Sequence, residues 1–283
     1  MRDKLFFRYF TYLDNLFRKI DRKHIRRTRN IQFIPGFPNR RGGKLSYAEW
    51  AHVIGIFQTL FYHIIPKKSG NQVLDIGCGT GLLGIAVEPF TKEGGSYIGL
   101  DVMPYEIEFN KKHYSQNNFS FVHFDLSNPS YVTTQSDELK PWPVESNSKD
   151  LICALSVWTH LREEDSLFYF KEVQRVLKPG GKAMISFFYL DDEYKKSLNI
   201  RENKTGRYHA SGQKKWIFDK AAYDSKNWFC PEWVDTPEDA IGINKEAFQK
   251  LLSTSGLKLN KYYPGNWKEI PGLYFQDVLV FEK

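Results

Sequence analysis

The feature of this 283-residue chain that most restricts its fold is a glycine-rich segment at residues 75–81, which reads DIGCGTG. A short apolar run at residues 73–76 leads into it, and an apolar helical pattern begins at Leu82. Glycines between a strand and a helix permit a tight turn, and they let the backbone approach a ligand because no Cβ atom intervenes. The segment therefore predicts a strand–loop–helix unit whose loop binds a ligand.

The central part of the chain alternates between strand and helix patterns. Predicted strands occupy residues 73–76, 97–100, 119–124, 150–155 and 182–189, and two more lie at 257–263 and 274–281. Predicted helices occupy residues 46–64, 82–90, 105–116, 163–177 and 244–254. Such alternation predicts an α/β fold in which helices cover both faces of a mostly parallel sheet.

Two stretches fall outside this alternation and set the predicted domain organisation. Residues 1–45 form a basic helical extension, and residues 46–283 form the main domain. Within that domain, residues 190–242 are polar and rich in aromatic side chains, and we interpret them as an insert after the fifth strand. A capping box at Ser46 and Glu49 marks the start of the first helix of the main domain.

The glycine segment does not have the spacing of a dinucleotide or phosphate site. A dinucleotide loop reads G-x-G-x-x-G, whereas here the third glycine comes one residue early, and no Gly-Lys-Ser/Thr follows. Asp75 would repel a phosphate but suits an ammonium group. Asp101 and Asp125, at the ends of the second and third strands, are placed for ribose hydroxyls and an adenine amine, respectively. An amino acid, a ribose and an adenine together describe S-adenosylmethionine.

Residues 73–81 (VLDIGCGTG) resemble the first motif of class I S-adenosylmethionine-dependent methyltransferases. The downstream acids and residues 177–181 (LKPGG) fall in the order that this family shows. The resemblance implies S-adenosylmethionine as cofactor and a Rossmann-like sheet of seven strands in the order 3-2-1-4-5-7-6. The last strand would be antiparallel, which suits the closing pair of predicted strands.

The resemblance also implies which residues meet the cofactor. The loop that begins at Asp75 would face the methionine part of the cofactor. The end of the second strand would face the ribose, and the end of the third strand would face the adenine. The predicted cofactor-binding residues are Asp75, Gly77, Cys78, Gly79, Gly81, Asp101, Val102, Asp125, Leu126, Ser156 and Tyr47. We do not expect a thiolate nucleophile at Cys78, because the loop requires only a small residue there.

The segment after the fourth strand carries the sequence evidence on the class of methyl acceptor. A hydroxyl acceptor benefits from a general base, and residues 156–161 (SVWTHL) resemble the SVFTHL segment of many bacterial small-molecule and glycan methyltransferases. His160 is thus the first candidate base, since an imidazole titrates near pH 7. Alternatively, His160 only starts the following helix and bonds the backbone. His209, within the insert on the acceptor side of the pocket, is the second candidate.

The same segment argues against several acceptor classes. It lacks the Asn/Asp-Pro-Pro-Tyr/Phe of enzymes that methylate exocyclic base nitrogens and the Pro-Cys of cytosine C5 enzymes. It also lacks the acidic ligands of metal-dependent catechol-type enzymes, so we expect no metal. We predict transfer to a hydroxyl of a small molecule such as a sugar or natural product. Transfer to an amine or carboxylate, and a non-catalytic cofactor-binding subunit, are the alternatives.

The basic charge of the chain is concentrated in its leader. Residues 1–44 hold 13 Lys or Arg against three Asp, so the remaining residues are close to neutral, which disfavours a body that grips nucleic acid. Helical spacing relates five leader residues: Phe6, Phe10, Leu13, Phe17 and Ile20. The leader could pack this stripe on the body, lie on anionic lipid through residues 1–30, or contact RNA.

Two further expectations concern the setting of the chain and the cofactor pocket. Three widely spaced cysteines fit neither a disulfide framework nor a zinc site, which favours a reducing, cytoplasmic compartment. The longest apolar stretch, residues 53–65, is too short to span a bilayer. We also expect the 30s and 40s to form a lid, with Tyr47, Trp50 and Arg41 near the ligand. The oligomeric state stays open.

Overall fold

In a computed structural model of the chain, the described residues are 2–42, 44–115, 118–125, 139–199, 201, 206–213 and 215–283. The α-helices are α1 (Arg2–Ile20), α2 (Tyr47–Ile64), α3 (Leu82–Val87), α4 (Pro104–His113), α5 (Glu163–Val176), α6 (Asp192–Leu198) and α7 (Lys245–Ser255). The strands are β1 (Gln72–Ile76), β2 (Ser96–Asp101), β3 (Phe119–His123), β4 (Lys149–Ala154), β5 (Leu177–Tyr189), β6 (Lys220–Ala221), β7 (Trp228–Cys230), β8 (Gly242–Ile243), β9 (Lys258–Tyr263) and β10 (Asp277–Glu282).

The main sheet has the predicted strand order. Strands β3, β2, β1, β4 and β5 are parallel neighbours in that sequence. Strand β10 then pairs antiparallel with β5, and β9 pairs antiparallel with β10. With β9 and β10 taken as the sixth and seventh strands of the family, this is the order 3-2-1-4-5-7-6, so the predicted topology is confirmed.

The predicted number of seven strands is too low, because the insert adds three short strands to the sheet. Strand β8 pairs in parallel with the end of β5 at Phe188 and Tyr189. Strand β7 pairs antiparallel with β8, and β6 with β7. These strands are only two or three residues long, so they carry too few residues to show the alternation by which strands are recognised in sequence.

Helices cover both faces of the sheet, as expected. Neighbouring residues of β1 belong to different apolar clusters, since Leu74 packs with α5 and α7 residues and Val73 packs with α2 and α3 residues. Both side chains are fully buried. A strand buried on both faces is the usual element of a parallel sheet, and its carboxyl end therefore points to the edge where ligands bind.

Helix α1 of the leader packs on the segment that follows it and on the start of α2. The Phe10 ring lies 4.9 Å from that of Phe37, and the Phe17 ring lies 5.0 Å from that of Tyr47. Between them, Asp14 forms a buried ion pair of 2.7 Å with a residue of the segment that follows, Arg40. No helix in the described residues is long and apolar enough to cross a membrane.

The apolar stripe of the leader does not pack on the body as a unit. Phe10 contacts Phe37 and Phe17 contacts Tyr47, but Leu13, Phe17 and Ile20 of the same predicted stripe are all exposed. The physical reason is that the inward side of α1 carries Asp14, whose carboxylate is paired with the buried Arg40 guanidinium. The helix is therefore rotated so that much of its apolar surface faces solvent.

Candidate functional site

The glycine loop between β1 and α3 has the backbone conformation that requires glycine. Gly77, Gly79 and Gly81 all have positive φ, at +64°, +50° and +88°. A Cβ atom at Gly77 would lie 2.5 Å from Val157 Cγ2, and one at Gly81 would lie 2.6 Å from the Tyr114 ring. Both the left-handed conformation and the lack of space thus exclude larger residues.

Asp101, the last residue of β2, is hydrogen-bonded both to the glycine loop and to the segment that follows β2. Its Oδ2 accepts a hydrogen bond of 2.7 Å from the Gly79 amide, and its Oδ1 accepts one of 2.9 Å from the Met103 amide. Burial raises the pKa of Asp101, while these backbone hydrogen bonds lower it. The carboxylate is therefore held in place at the mouth of the loop.

A cavity of about 320 Å³ lies at the carboxyl ends of β1, β2 and β4. One side is acidic, with Asp101 and Glu106, and another is aromatic, with Phe124, Trp142 and Tyr169. The rings of the last two stack with centroids 5.5 Å apart. The cavity thus offers carboxylates for hydroxyl groups and flat apolar faces for a planar ring.

The leader closes one side of this cavity. Arg41 and Gly42 are among its lining residues. The Arg41 side chain, itself half-exposed, pairs with Glu106 at 3.1 Å. Burial raises the pKa of Glu106, as does Asp101, while Arg41 lowers it. The Thr80 hydroxyl also donates to the Asn39 carbonyl at 2.6 Å, so the leader is bonded to the glycine loop.

Ser156 and His160 line the cavity just beyond β4. Ser156 Oγ accepts a hydrogen bond of 2.9 Å from Gln276 Nε2, and His160 Nε2 lies 3.4 Å from the same oxygen. On the other side of the ring, His160 Nδ1 lies 2.6 Å from the carbonyl oxygen of Glu238. Because a carbonyl only accepts, Nδ1 carries the proton, and in the neutral ring Nε2 carries the lone pair.

The environment of His160 favours this neutral ring. Burial lowers its pKa, and the hydrogen bond to Glu238 offsets only part of that effect. The ring therefore has a defined orientation and a basic nitrogen on the Ser156 side, which are the properties that a general base requires. Glu238 belongs to the insert. His160 therefore also bonds the backbone, as the alternative role expected, and it does so through Nδ1.

Three predicted cofactor residues of the segment 75–81, Asp75, Cys78 and Gly81, are not among the cavity-lining residues. Asp75 is 1% exposed, and its Oδ2 accepts a 2.6 Å hydrogen bond from the Tyr97 hydroxyl. Burial raises the pKa of Asp75 to about 7. Cys78 is also buried, and burial raises the pKa of its thiol well above the usual value. Neither the Asp75 carboxylate nor the Cys78 thiol therefore lines the cavity.

Other predicted residues are spread more widely. Val102 lines the cavity, whereas Asp125 is half-buried beside the lining residue Phe124. Leu126 lies outside the described residues. Tyr47 does not line the cavity, because its hydroxyl donates to the Ile31 carbonyl at 3.0 Å.

Trp50 and His209 also lie away from the cavity lining. The buried Trp50 indole donates to the Lys44 carbonyl at 3.0 Å. His209 Nε2 lies 3.2 Å from Glu269 Oε1, and both side chains are almost fully buried. That carboxylate also accepts from the Gly206 amide, so His209 belongs to an anchor of the insert, and the structure does not bring it together with His160.

Sequence reasoning missed several cavity residues. Glu106 follows a recognisable signal, a carboxylate in the first turn of the helix after Asp101. Trp142 and Tyr169 carried no such signal, because one lies in an irregular segment and the other on a helix face that resembles ordinary core. Gln276 and Glu238, which position Ser156 and His160, come from distant parts of the chain.

A sequence profile described as a methyltransferase domain matches residues 67–232, more than half of the chain. With the fold and the cavity described above, the chain belongs to the class I S-adenosylmethionine-dependent methyltransferases, and its cofactor is S-adenosylmethionine. A crystal structure of an S-adenosylmethionine-dependent methyltransferase from Mesorhizobium loti has a TM-score of 0.52 to this chain at 16% identity, covering 80% of this chain and 96% of that one. At that identity the likeness shows the fold alone.

Two curated relatives differ in the atom that their names say they methylate. A ubiquinone biosynthesis O-methyltransferase of Bradyrhizobium is 31% identical over 118 residues, covering 42% of this chain and 40% of that protein. A sterol 4-C-methyltransferase of Caenorhabditis elegans is 27% identical over 170 residues, covering 59% of this chain and 44% of that protein. The chain spans less than half the length of these relatives.

Proposed function

We propose that this chain transfers the methyl group of S-adenosylmethionine to a hydroxyl of a small molecule, with His160 as general base. The observation that carries the proposal is the orientation of the His160 ring. Its Nδ1–H is fixed on the Glu238 carbonyl, and its Nε2 lies beside Ser156 at the cavity. An acceptor that must lose a proton, such as a hydroxyl, is the kind that uses such a base.

The lining of the cavity fits the cofactor. Gly79 has a φ of +50°, and a Cβ atom there would lie 3.3 Å from Glu106 Oε2, so a side chain at this position would occupy the acidic side of the cavity. The Asp101 carboxylate suits a pair of ribose hydroxyls, and Trp142 and Phe124 offer flat faces for the adenine ring. When bound, the cofactor supplies an electrophilic methyl group on a positively charged sulfur.

The residues of the chain would act on the acceptor. His160 Nε2 takes the hydroxyl proton as the acceptor oxygen becomes nucleophilic, and the Glu238 carbonyl stabilises the resulting imidazolium through Nδ1–H. Gln276 holds Ser156 Oγ, whose position next to Nε2 orients the incoming hydroxyl. Aromatic walls exclude water from the cavity, which favours methyl transfer over competing reactions.

The cellular setting remains part of the proposal. Cys78, Cys153 and Cys230 are all buried and form no disulfide in the described part of the chain. This pattern fits a reducing compartment, so we propose a cytoplasmic location.

A panel of phenols, sugars, carboxylic acids and amines, incubated with methyl-labelled S-adenosylmethionine and analysed by mass spectrometry, identifies the acceptor. We expect a methyl ether, stable to mild base. A base-labile methyl ester or a methylated amine would contradict the hydroxyl assignment. Tight cofactor binding without any product would instead indicate a cofactor-binding subunit.

On the acceptor so found, His160→Ala should lower kcat about 10²–10⁴-fold while the affinity for S-adenosylhomocysteine stays unchanged. His63→Ala is the matched control, because His63 is an exposed histidine of α2. An equal, small effect of both variants on kcat would remove His160 from the reaction.

A further inference from the structure

The outer face of α1 is an exposed apolar surface. Six large side chains, each between 42% and 73% exposed, form it: Leu5, Tyr9, Tyr12, Leu13, Leu16 and Ile20. At about 100° of rotation per residue they fall within an arc of about 100° on one side of the helix. We call this set the outer face of α1. A surface helix normally turns such a stripe toward the core.

The docking of the helix fixes this unusual orientation. On the opposite side, Asp14 is 7% exposed and pairs with Arg40, whose side chain is fully buried. Asp14 Oδ2 also accepts from the Phe37 amide at 3.2 Å. Turning the outer face inward would break these bonds and leave a charge buried without a partner, which is costly. The apolar face is thus held outward.

A basic cleft adjoins the outer face at the end of α1. It has a volume of about 540 Å³ and is lined by Asn15, Arg18, Lys19, Arg22, Lys23 and Gln32. Arg18 Nε is buried without a hydrogen-bond partner among the described residues. Burial and the neighbouring Arg22 lower the pKa of Arg18, and Asp14 offsets only part of that effect.

The basic surface continues beyond the cleft. Arg26, Arg27 and Arg29 follow along the chain, and all three are exposed. The cations of the cleft lie at the carboxyl-terminal end of α1, next to the outer face, and further exposed cations follow in the chain.

We propose that the outer face of α1 and the adjoining basic cleft dock the protein onto an anionic lipid bilayer. The apolar side chains enter the boundary between headgroups and acyl chains, and the cations contact anionic headgroups. The cleft takes a headgroup phosphate between its converging cations, Arg18, Lys19, Arg22 and Lys23.

Two other occupants fit the surface less well. A nucleic acid would use the cations but leave six large apolar side chains in water. A second copy of the chain would cover the apolar face but bring two clusters of like charge together. An anionic bilayer satisfies both halves of the surface at once.

The test is co-sedimentation of the full chain with vesicles, which needs no methyl acceptor. One set contains phosphatidylcholine alone, and the other contains equal parts of phosphatidylcholine and phosphatidylglycerol. We expect binding to the anionic vesicles, weakened by high salt, and little binding to the neutral ones. No binding to anionic vesicles, or equal binding to both sets, would overturn the proposal.

Two double variants separate the apolar and cationic contributions. Tyr9→Ser with Leu16→Ser should weaken anionic-vesicle binding about tenfold or more, and Lys19→Glu with Lys23→Glu should do the same. All four side chains are exposed, so the fold should persist, as circular dichroism will check. Leu273→Ser is the apolar control, since Leu273 is 49% exposed elsewhere.

Three outcomes would assign the surface to another occupant. Saturable binding of inorganic phosphate in the cleft with no vesicle binding would indicate a free anion. RNA binding that is lost in the lysine variant but kept in the Tyr9/Leu16 variant, again without vesicle binding, would indicate a nucleic-acid arm. A dimer in solution that the Tyr9/Leu16 variant abolishes, without vesicle binding by the wild type, would indicate a second copy. Each of them overturns the bilayer assignment.

Discussion

Asp14→Ala should detach α1 from the segment that follows it. The Asp14–Arg40 pair is buried on both sides, with 5% of the Asp14 side chain and none of the Arg40 side chain exposed. The variant leaves the Arg40 guanidinium with only two of its bonds, those to the Leu45 and Pro35 carbonyls. Removing one partner of a buried ion pair costs about 3–5 kcal/mol, because the other charge stays buried and uncompensated.

Local unfolding of α1 limits how much of this free energy the variant loses from global stability. Because α1 lies outside the sheet and is exposed along its outer side, it can detach before the sheet unfolds. We therefore expect the loss to appear first as faster hydrogen exchange in residues 29–42, the part of the leader bonded to the glycine loop and to α4, and second as a smaller drop in the free energy of unfolding in urea.

Two comparisons give this prediction its control. Asp21→Ala removes an exposed carboxylate of the same leader and should cost less than about 1 kcal/mol. Replacing both partners by apolar residues of similar volume, Asp14→Leu with Arg40→Met, should recover most of the loss, because no buried charge remains. If Asp14→Ala and Asp21→Ala change hydrogen exchange and the free energy of unfolding equally, the buried pair does not hold α1 in place.

Three further predictions follow from the site. Because burial lowers the pKa of His160 and its neutral form is the base, kcat/KM should fall at low pH with a midpoint below about 6.5; a midpoint above that value would contradict the assignment. Gly79→Val should abolish S-adenosylhomocysteine binding in calorimetry because φ is +50° and Glu106 is close, whereas Gly212→Ala, with open space around it, should bind normally. The pKa of Asp75 rises from 3.8 to about 7 on folding, so the folded chain keeps a proton that the unfolded chain releases, and stability falls as pH rises from about 4 to about 7. Urea unfolding of Asp75→Asn should show a gain over the wild type that grows across this interval to about 4 kcal/mol at most; a pH-independent difference would show that Asp75 does not take up a proton on folding.

The predictable part of the fold rests on local signals. Each of the first three strands is a short apolar run followed by a glycine or an acidic residue, and residues 75–81 combine strand, turn and helix start in one segment. The positive φ of Gly77 explains why a sequence signal exists at all, since only glycine adopts it without strain.

The parts that sequence could not predict depend on contacts between distant residues. The Glu238 carbonyl that orients His160 comes from 78 residues away, and Gln276, which holds Ser156, from 120 residues away. The orientation of α1 likewise depends on one pair, Asp14 with Arg40. An amphipathic pattern predicts that a helix has an apolar side, but the pattern alone does not say which side faces the body.

Calorimetric titration of S-adenosylhomocysteine into the wild type and Asp101→Ala tests the central claim most directly, because Asp101 connects the glycine loop to the cavity. The wild type should bind, and Asp101→Ala should bind about tenfold to a hundredfold more weakly, since hydrogen bonds to a carboxylate contribute about 1.5–3 kcal/mol. Asp235→Ala, at an exposed position, should match the wild type. Absence of binding by the wild type, or equal affinity in the folded Asp101→Ala variant, would contradict the assignment of this cavity as the cofactor site.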